Sequence, residues 1–195
     1  YATYLGGASD DRAADLALDG AGSAYVAGTT SSPDFPLTQG AWDIQLDGQD
    51  AFVVKLDPTG GGLAYATLVG GQSWEQGQGV AVDEAGQAVL VGTTASADLP
   101  VTPGALRDAL AGETDAFVAR LDATGTALVY ATYLGGSGGE SAHSVALDAA
   151  GSAYVSGATG SADFPVTEGA FGVAHGGEQD AFLAKIDAAG ALSYA

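Results

Sequence analysis

Cysteine and methionine are both absent from the 195 residues. Without thiols the chain has neither disulfides nor thiolate metal sites, so packing and hydrogen bonding must hold it together. A chain without methionine even at position 1 is expected to be a processed product or an excised piece of something longer. Positive charge is nearly as scarce, 5 Lys plus Arg against 24 Asp plus Glu, for a formal net charge of −19. That balance repels phosphate backbones and anionic headgroups, which sets nucleic acid aside as a partner. No apolar run approaches the ~18 residues of a membrane span, and no signal sequence is visible.

What the chain does have is glycine, 31 of them, and repetition. At 47% hydrophobic and 15% charged it can bury a core, so the glycines read as punctuation rather than as a flexible linker. One segment is written three times, at Asp50–Asp57, Asp115–Asp122 and Asp180–Asp187. Each reads Asp-Ala-Phe, two apolar residues, a basic residue, Leu or Ile, and Asp. The first two run through a turn into Tyr65–Gly71 and Tyr130–Gly136, whereas the third stops at Tyr194 and Ala195. The rest of that last stretch is what the chain begins with, Tyr1–Gly7. Tyr1, Tyr65, Tyr130 and Tyr194 are spaced by 64, 65 and 64 residues, so the period overrides any reading from length alone. The units are 8–71, 72–136 and 137–195, the last completed by residues 1–7 or by a neighbouring chain.

Each unit is expected to hold four short strands. The first is Asp15–Asp19, Gly79–Asp83 or Ser144–Asp148, and the second is Ser23–Thr29, Gln87–Thr93 or Ser152–Ala158. The Asp-Ala-Phe segment is the third and the Tyr-Ala-Thr stretch the fourth. Asp-x-x-Gly separates first from second (Asp19, Asp83, Asp148) and third from fourth (Asp57, Asp122, Asp187). Asp at the first turn position and a positive-φ Gly at the last make each a tight antiparallel hairpin. Several strands are apolar on both faces, as in Phe52, Val53 and Val54, which demands a covered sheet on each side. Face-to-face four-stranded antiparallel sheets are the blades of a β-propeller, so the expected class is all-β. The 20 residues from Thr30 to Gln49 joining second to third strand are long for a loop. Pro36 and the apolar Phe35 and Trp42 suggest a segment packed on the blade, with one helical turn.

Val145–Gly157, Asp163–Thr167, Asp180–Asp187 and Tyr133–Gly136 together resemble the bacterial beta-propeller repeat called SBBP, and the likeness extends over all three units. It implies a propeller of large exported or cell-surface bacterial proteins, in a scaffold or adhesive role, and it brings no catalytic residues. Val89 in place of the second-strand Tyr, and Leu99 in place of the Phe before Pro100, depart from the pattern but keep an apolar filler.

Propellers have 4–8 blades, since fewer leave sheet edges bare. Three units are therefore expected to join further blades of a longer chain, to meet an identical chain head to tail, or to stack as an open filament.

The fourth-to-first connections, Ala8–Arg12, Gln72–Gly77 and Ser137–His143, differ most among the units, and loops on a rigid scaffold are where ligands bind. Asp10, Asp11, Glu75 and Glu140 could converge on a hard cation, Ca²⁺ first, or be plain solvated acids. Trp74 could stack on a sugar ring with Glu75 and Gln76 bonding its hydroxyls, or simply cap the next blade. His143 and His175 lack partners at metal-ligand spacing, and no Gly-x-Ser-x-Gly elbow occurs, so the chain is read as no enzyme. Lys55, Arg120 and Lys185 recur at one strand position and are expected to pair with Asp19, Asp83 and Asp148 as structural ion pairs.

Overall fold

A computed structural model describes residues 1–195, as twelve strands and no helix. The first sheet is β1 (Asp11–Leu18), β2 (Ala24–Thr30), β3 (Asp50–Leu56) and β4 (Leu63–Val69). The second is β5 (Glu75–Val82), β6 (Ala88–Thr94), β7 (Asp115–Leu121) and β8 (Leu128–Leu134). The third is β9 (Glu140–Leu147), β10 (Ala153–Thr159), β11 (Asp180–Ile186) and the short β12 (Leu192–Tyr194). All three are antiparallel meanders in sequence order.

The hairpins follow from their turns. At the first, Gly22 N donates to Asp19 O at 3.0 Å while Asp19 Oδ1 accepts from Ala21 N and Ser23 N, and Gly22 has φ +86°. The other five Asp-x-x-Gly turns repeat the glycine-to-aspartate backbone bond at 2.9–3.1 Å.

Cores form between the sheets. Tyr25, Val53 and Val69 of the first pack with Leu90, Phe117 and Tyr133 of the second, and Val89 and Val118 of the second pack with Val145, Val155 and Phe182 of the third. The middle sheet is covered on both faces, so every residue of β6 and β7 is buried. The first sheet's outer face collects Phe35, Phe52 and Leu68, with Leu5 leaning on it.

Two sequence expectations are corrected. The first strand of each unit begins earlier than its apolar run, at Asp11, Glu75 and Glu140. A bulge in each, at Ala14, Gln78 and His143, breaks the alternation and hides the polar half of the strand from a periodicity reading. The long second-to-third segment contains turns but no helical turn. It instead lies along the sheet's outer edge: Thr38 N donates to Ala66 O at 3.1 Å and Leu68 N to Asp43 O at 3.1 Å. Thr102 N to Ala131 O and Tyr133 N to Arg107 O repeat this in the second unit. An edge strand that would offer unpaired amides is thereby covered.

Candidate functional site

Two sets of polar side chains recur in the units, one at each end of the strands. The first surrounds the Asp-x-x-Gly turns. Lys55 Nζ lies 3.4 Å from Asp19 Oδ2, Lys185 Nζ lies 3.0 Å from Asp148 Oδ2, and Arg120 pairs with Asp83. The lysines also sit over tyrosine rings, Lys55 at 4.8 Å from the Tyr25 centroid and Lys185 at 4.7 Å from that of Tyr154. In the middle unit Val89 replaces the tyrosine and the longer guanidinium takes up the vacated contacts. Arg120 Nε donates to Gln87 Oε1 at 2.9 Å and Nη1 to Gly151 O at 2.7 Å, in the turn of the next sheet. In the first unit the corresponding intersheet link is Tyr25 OH to Gly86 O at 3.3 Å. The Asp148 carboxyl is lowered to about 2, first by the Ser152 amide and then by Lys185.

The second set lies at the opposite end and holds the acids singled out from sequence. Glu75 is fully buried: Oε1 accepts from Thr94 Oγ1 at 2.5 Å and Oε2 from Gly71 N at 2.9 Å. Glu140 does the same with Thr159 Oγ1 (2.8 Å), Ser161 Oγ (2.5 Å) and Gly136 N (2.7 Å). Asp11 accepts from Thr30 Oγ1 (2.5 Å), Ser32 Oγ (2.8 Å) and Gly7 N (2.7 Å). Burial acts most strongly to raise the Asp11 carboxyl, but these three donors together hold it below its ordinary value. Each acid thus latches the end of one fourth-strand segment to the threonine that closes the next second strand, Thr30, Thr94 or Thr159.

Asp10, Asp11, Glu75 and Glu140 therefore do not converge, and no three His, Asp or Glu side chains gather closely enough to hold a metal ion. Asp10 remains exposed in its loop. The Trp74, Glu75 and Gln76 constellation is also dispersed. Glu75 points into the latch, Gln76 is exposed, and half-buried Trp74 forms a parallel bridge with Gln49. Gln76 instead lines a polar cleft of about 470 Å³ between β1 and β5, with Asp10, Arg12, Gln49 and Gln78.

Sequence reasoning missed the hydroxyls and aspartates that complete this set. Ser32, Ser96 and Ser161 Oγ accept from Ser9, Ser73 and Gly138 N, and Asp34, Asp98 and Asp163 Oδ1 accept from Ala8, Gln72 and Ser137 N, all at 2.7–2.9 Å. The signal was present in Thr-x-Ser-x-Asp at 30–34, 94–98 and 159–163. Because these residues hold the loops chiefly by their backbone amides, with Ser137 Oγ also donating to Asp163 Oδ1 at 2.9 Å, most loop side chains are left free to differ.

A further acid lies across the Glu75 and Glu140 latches. Asp50 is buried beside Glu75, its Oδ1 has no partner, and burial foremost, with the Glu75 charge, pushes its carboxyl up to about 7. Asp115 stands in the same place beside Glu140 and is also raised, chiefly by burial. Asp115 accepts from Ala111 N at 3.0 Å and Gly112 N at 3.3 Å, bonds that Asp50 has in only one 3.4 Å contact with Asp47 N.

Residues 1–36 and 129–165 match the family of beta-propeller repeats named SBBP. No curated protein matches the chain.

Proposed function

We propose that the chain, whose residues 1–36 and 129–165 match the SBBP beta-propeller repeats, is a non-catalytic structural or adhesive module of an exported or cell-surface bacterial protein. The observation that carries this reading is the middle sheet, whose β6 and β7 are buried along their whole length between two neighbours. Such a sheet is built to be stacked, and its polar groups serve the stack. Latch acids bind backbone amides and hydroxyls, and the basic residues tie one turn to the next. None of them is paired as nucleophile and base around an open pocket. The exported location rests on the family resemblance. A chain with 24 acids against 5 basic residues suits a module that must not adhere to its own kind indiscriminately.

Antibody against the chain should label intact source cells, whereas labelling only after lysis would overturn the location. Thermal unfolding in Ca²⁺ or in chelator tests the scaffold separately. The latches need no ion, so the melting temperature should be the same in both, and a clear rise with Ca²⁺ would make the metal structural.

A second reading, ligand capture, is favoured by the polar cleft between β1 and β5, with its Asp10, Arg12 and glutamine amides. These groups suit a small hydroxylated ligand such as a glycan fragment. Binding seen on an oligosaccharide panel and lost in Gln76→Ala would support it.

A further inference from the structure

Two buried carboxyl groups meet at each junction between sheets. At the first junction Asp50, which opens β3, is 1% exposed, and Glu75, which opens β5, is fully buried. Both reach the place where a Cβ on Gly70 would stand, Asp50 Oδ1 to 2.5 Å and Glu75 Oε2 to 2.9 Å, so the absent side chain leaves the two oxygens a common space. Gly135 does the same at the second junction, with Asp115 Oδ1 at 2.7 Å and Glu140 Oε2 at 2.5 Å. No Lys, Arg or His pairs with any of these four acids. The other groups facing the first pair bring no positive charge. Asp43 and Asp47 act on Asp50 from the segment before β3, and Asp11 of β1 lies across Thr30 from it. Tyr133 faces Glu75 with a hydroxyl already bonded to Ser96 O and Leu99 N.

We propose that Asp50 and Glu75 hold one proton between them, and that its loss loosens the fastening of the first sheet to the second. The hydrogen bonds locate the proton. Glu75 accepts on both oxygens, from Thr94 Oγ1 and Gly71 N, as a carboxylate does. Asp50 Oδ1 accepts from nothing, and a buried anionic oxygen without a donor costs more than a neutral hydroxyl that can donate to its neighbour. The proton therefore sits on Asp50 Oδ1 and points at Glu75 Oε2. Burial and the Glu75 charge, which push the Asp50 carboxyl up to about 7, act in the same sense. At the second junction Asp115 accepts from Ala111 N and Gly112 N and feels Arg107, so that pair holds its proton less firmly.

The device goes beyond the scaffold reading because it adds a control at the place where the sheets are tied. Glu75 N donates to Gln49 O at 2.7 Å, and Glu75 Oε2 holds Gly71 N in the connection from β4 to β5. Once Asp50 ionises, two like charges share a buried space, and admitting water relieves them by parting these bonds. Gln49 and Gln76, the chain neighbours of the two acids, line the polar cleft, so the same proton governs how firmly that wall is held. In the opened junction both acids titrate in the ordinary range, whereas in the closed one Asp50 keeps its proton up to about 7. Opening therefore releases a proton between about pH 4 and about pH 7, becomes about tenfold easier with each pH unit in that window, and levels off above it.

Two measurements on the 195-residue chain test this. In a carboxyl NMR titration Asp50 should change near about 7, and the Glu75 signal should move with it, as coupled groups do. Asp50 titrating alone near 3.8 would overturn the shared proton. Amide exchange, corrected for the intrinsic effect of pH, should show Gly71 and Glu75 losing protection about tenfold per pH unit up to about pH 7. Gly136 and Glu140 should level off at lower pH. In Asp50→Asn, whose side-chain amide donates to Glu75 at every pH, Gly71 and Glu75 should stay protected throughout. Protection that never changes in the parent, or that is lost equally in Asp50→Asn, would overturn the fastening. Should that variant not fold, the carboxyl titration of the parent still decides.

Discussion

Arg120 shows how the residues of one unit are matched to each other rather than to a repeat average. It is 3% exposed and touches Asp83, Gln87 and Gly151, whereas Lys55 is 19% exposed and meets Asp19 at 3.4 Å. Truncating Arg120 to Ala leaves a carboxylate and a carbonyl without their donor and is expected to cost about 3 kcal/mol. Lys55→Ala, at a more solvated pair, should cost under about 1 kcal/mol. Urea denaturation of the two variants compares them, and equal losses would remove the distinction. The recurrence of these basic residues opposite their aspartates was legible in the sequence. That Val89 and Arg120 trade as a set was not, because the exchange is visible only once Arg120 is seen reaching the next turn. Leu99 is a similar case: beside it Tyr133 OH donates to Ser96 O at 2.7 Å and accepts from Leu99 N at 2.9 Å. In the first unit, with Phe35 and Leu68 at these two positions, Phe35 N bonds Ser32 O instead. Asp50 gives the second prediction at this scale. Its folded carboxyl is pushed up to about 7 from 3.8, so between those values the folded chain keeps a proton that the unfolded chain has lost. Stability therefore falls as pH rises from about 4 to about 7. General repulsion among the acids has the same sign, so Asp50→Asn is the control. It should raise the melting temperature at pH 8 and flatten the pH profile relative to the parent.

At the scale of the strand, the sequence disclosed elements where period and burial agree and concealed them where a bulge intervenes. The second, third and fourth strands are continuous apolar runs, and their register is uninterrupted from β2 to β3 and from β6 to β7. The first strands are half polar and bulged, so Glu75 and Glu140 read as loop acids although they open β5 and β9 and are buried there. Glycine marks the hidden place. A Cβ at Gly92 would stand 1.9 Å from Gln76 O and 2.9 Å from the Phe117 ring. Gln76 O belongs to the bulged strand's backbone and cannot rotate away, so Gly92→Ala must spread β5 from β6. The expected loss is about 3 kcal/mol, read as a lower denaturant midpoint at nearly unchanged slope. Gly104 meets nothing within 4 Å but has φ +89°, so alanine there should cost less, through its backbone alone.

Across the whole molecule, protection should follow position in the stack rather than strand type. The four-stranded meander is the same in each sheet, yet β6 and β7 are buried throughout while β1 is mostly exposed and β11 alternates. The difference comes only from what covers each face, information that is not local to any unit's sequence. Opening of an end sheet breaks one intersheet core, whereas opening of the middle sheet breaks both. Amide exchange should therefore be slowest in β6 and β7 and fastest in β1, β11 and β12.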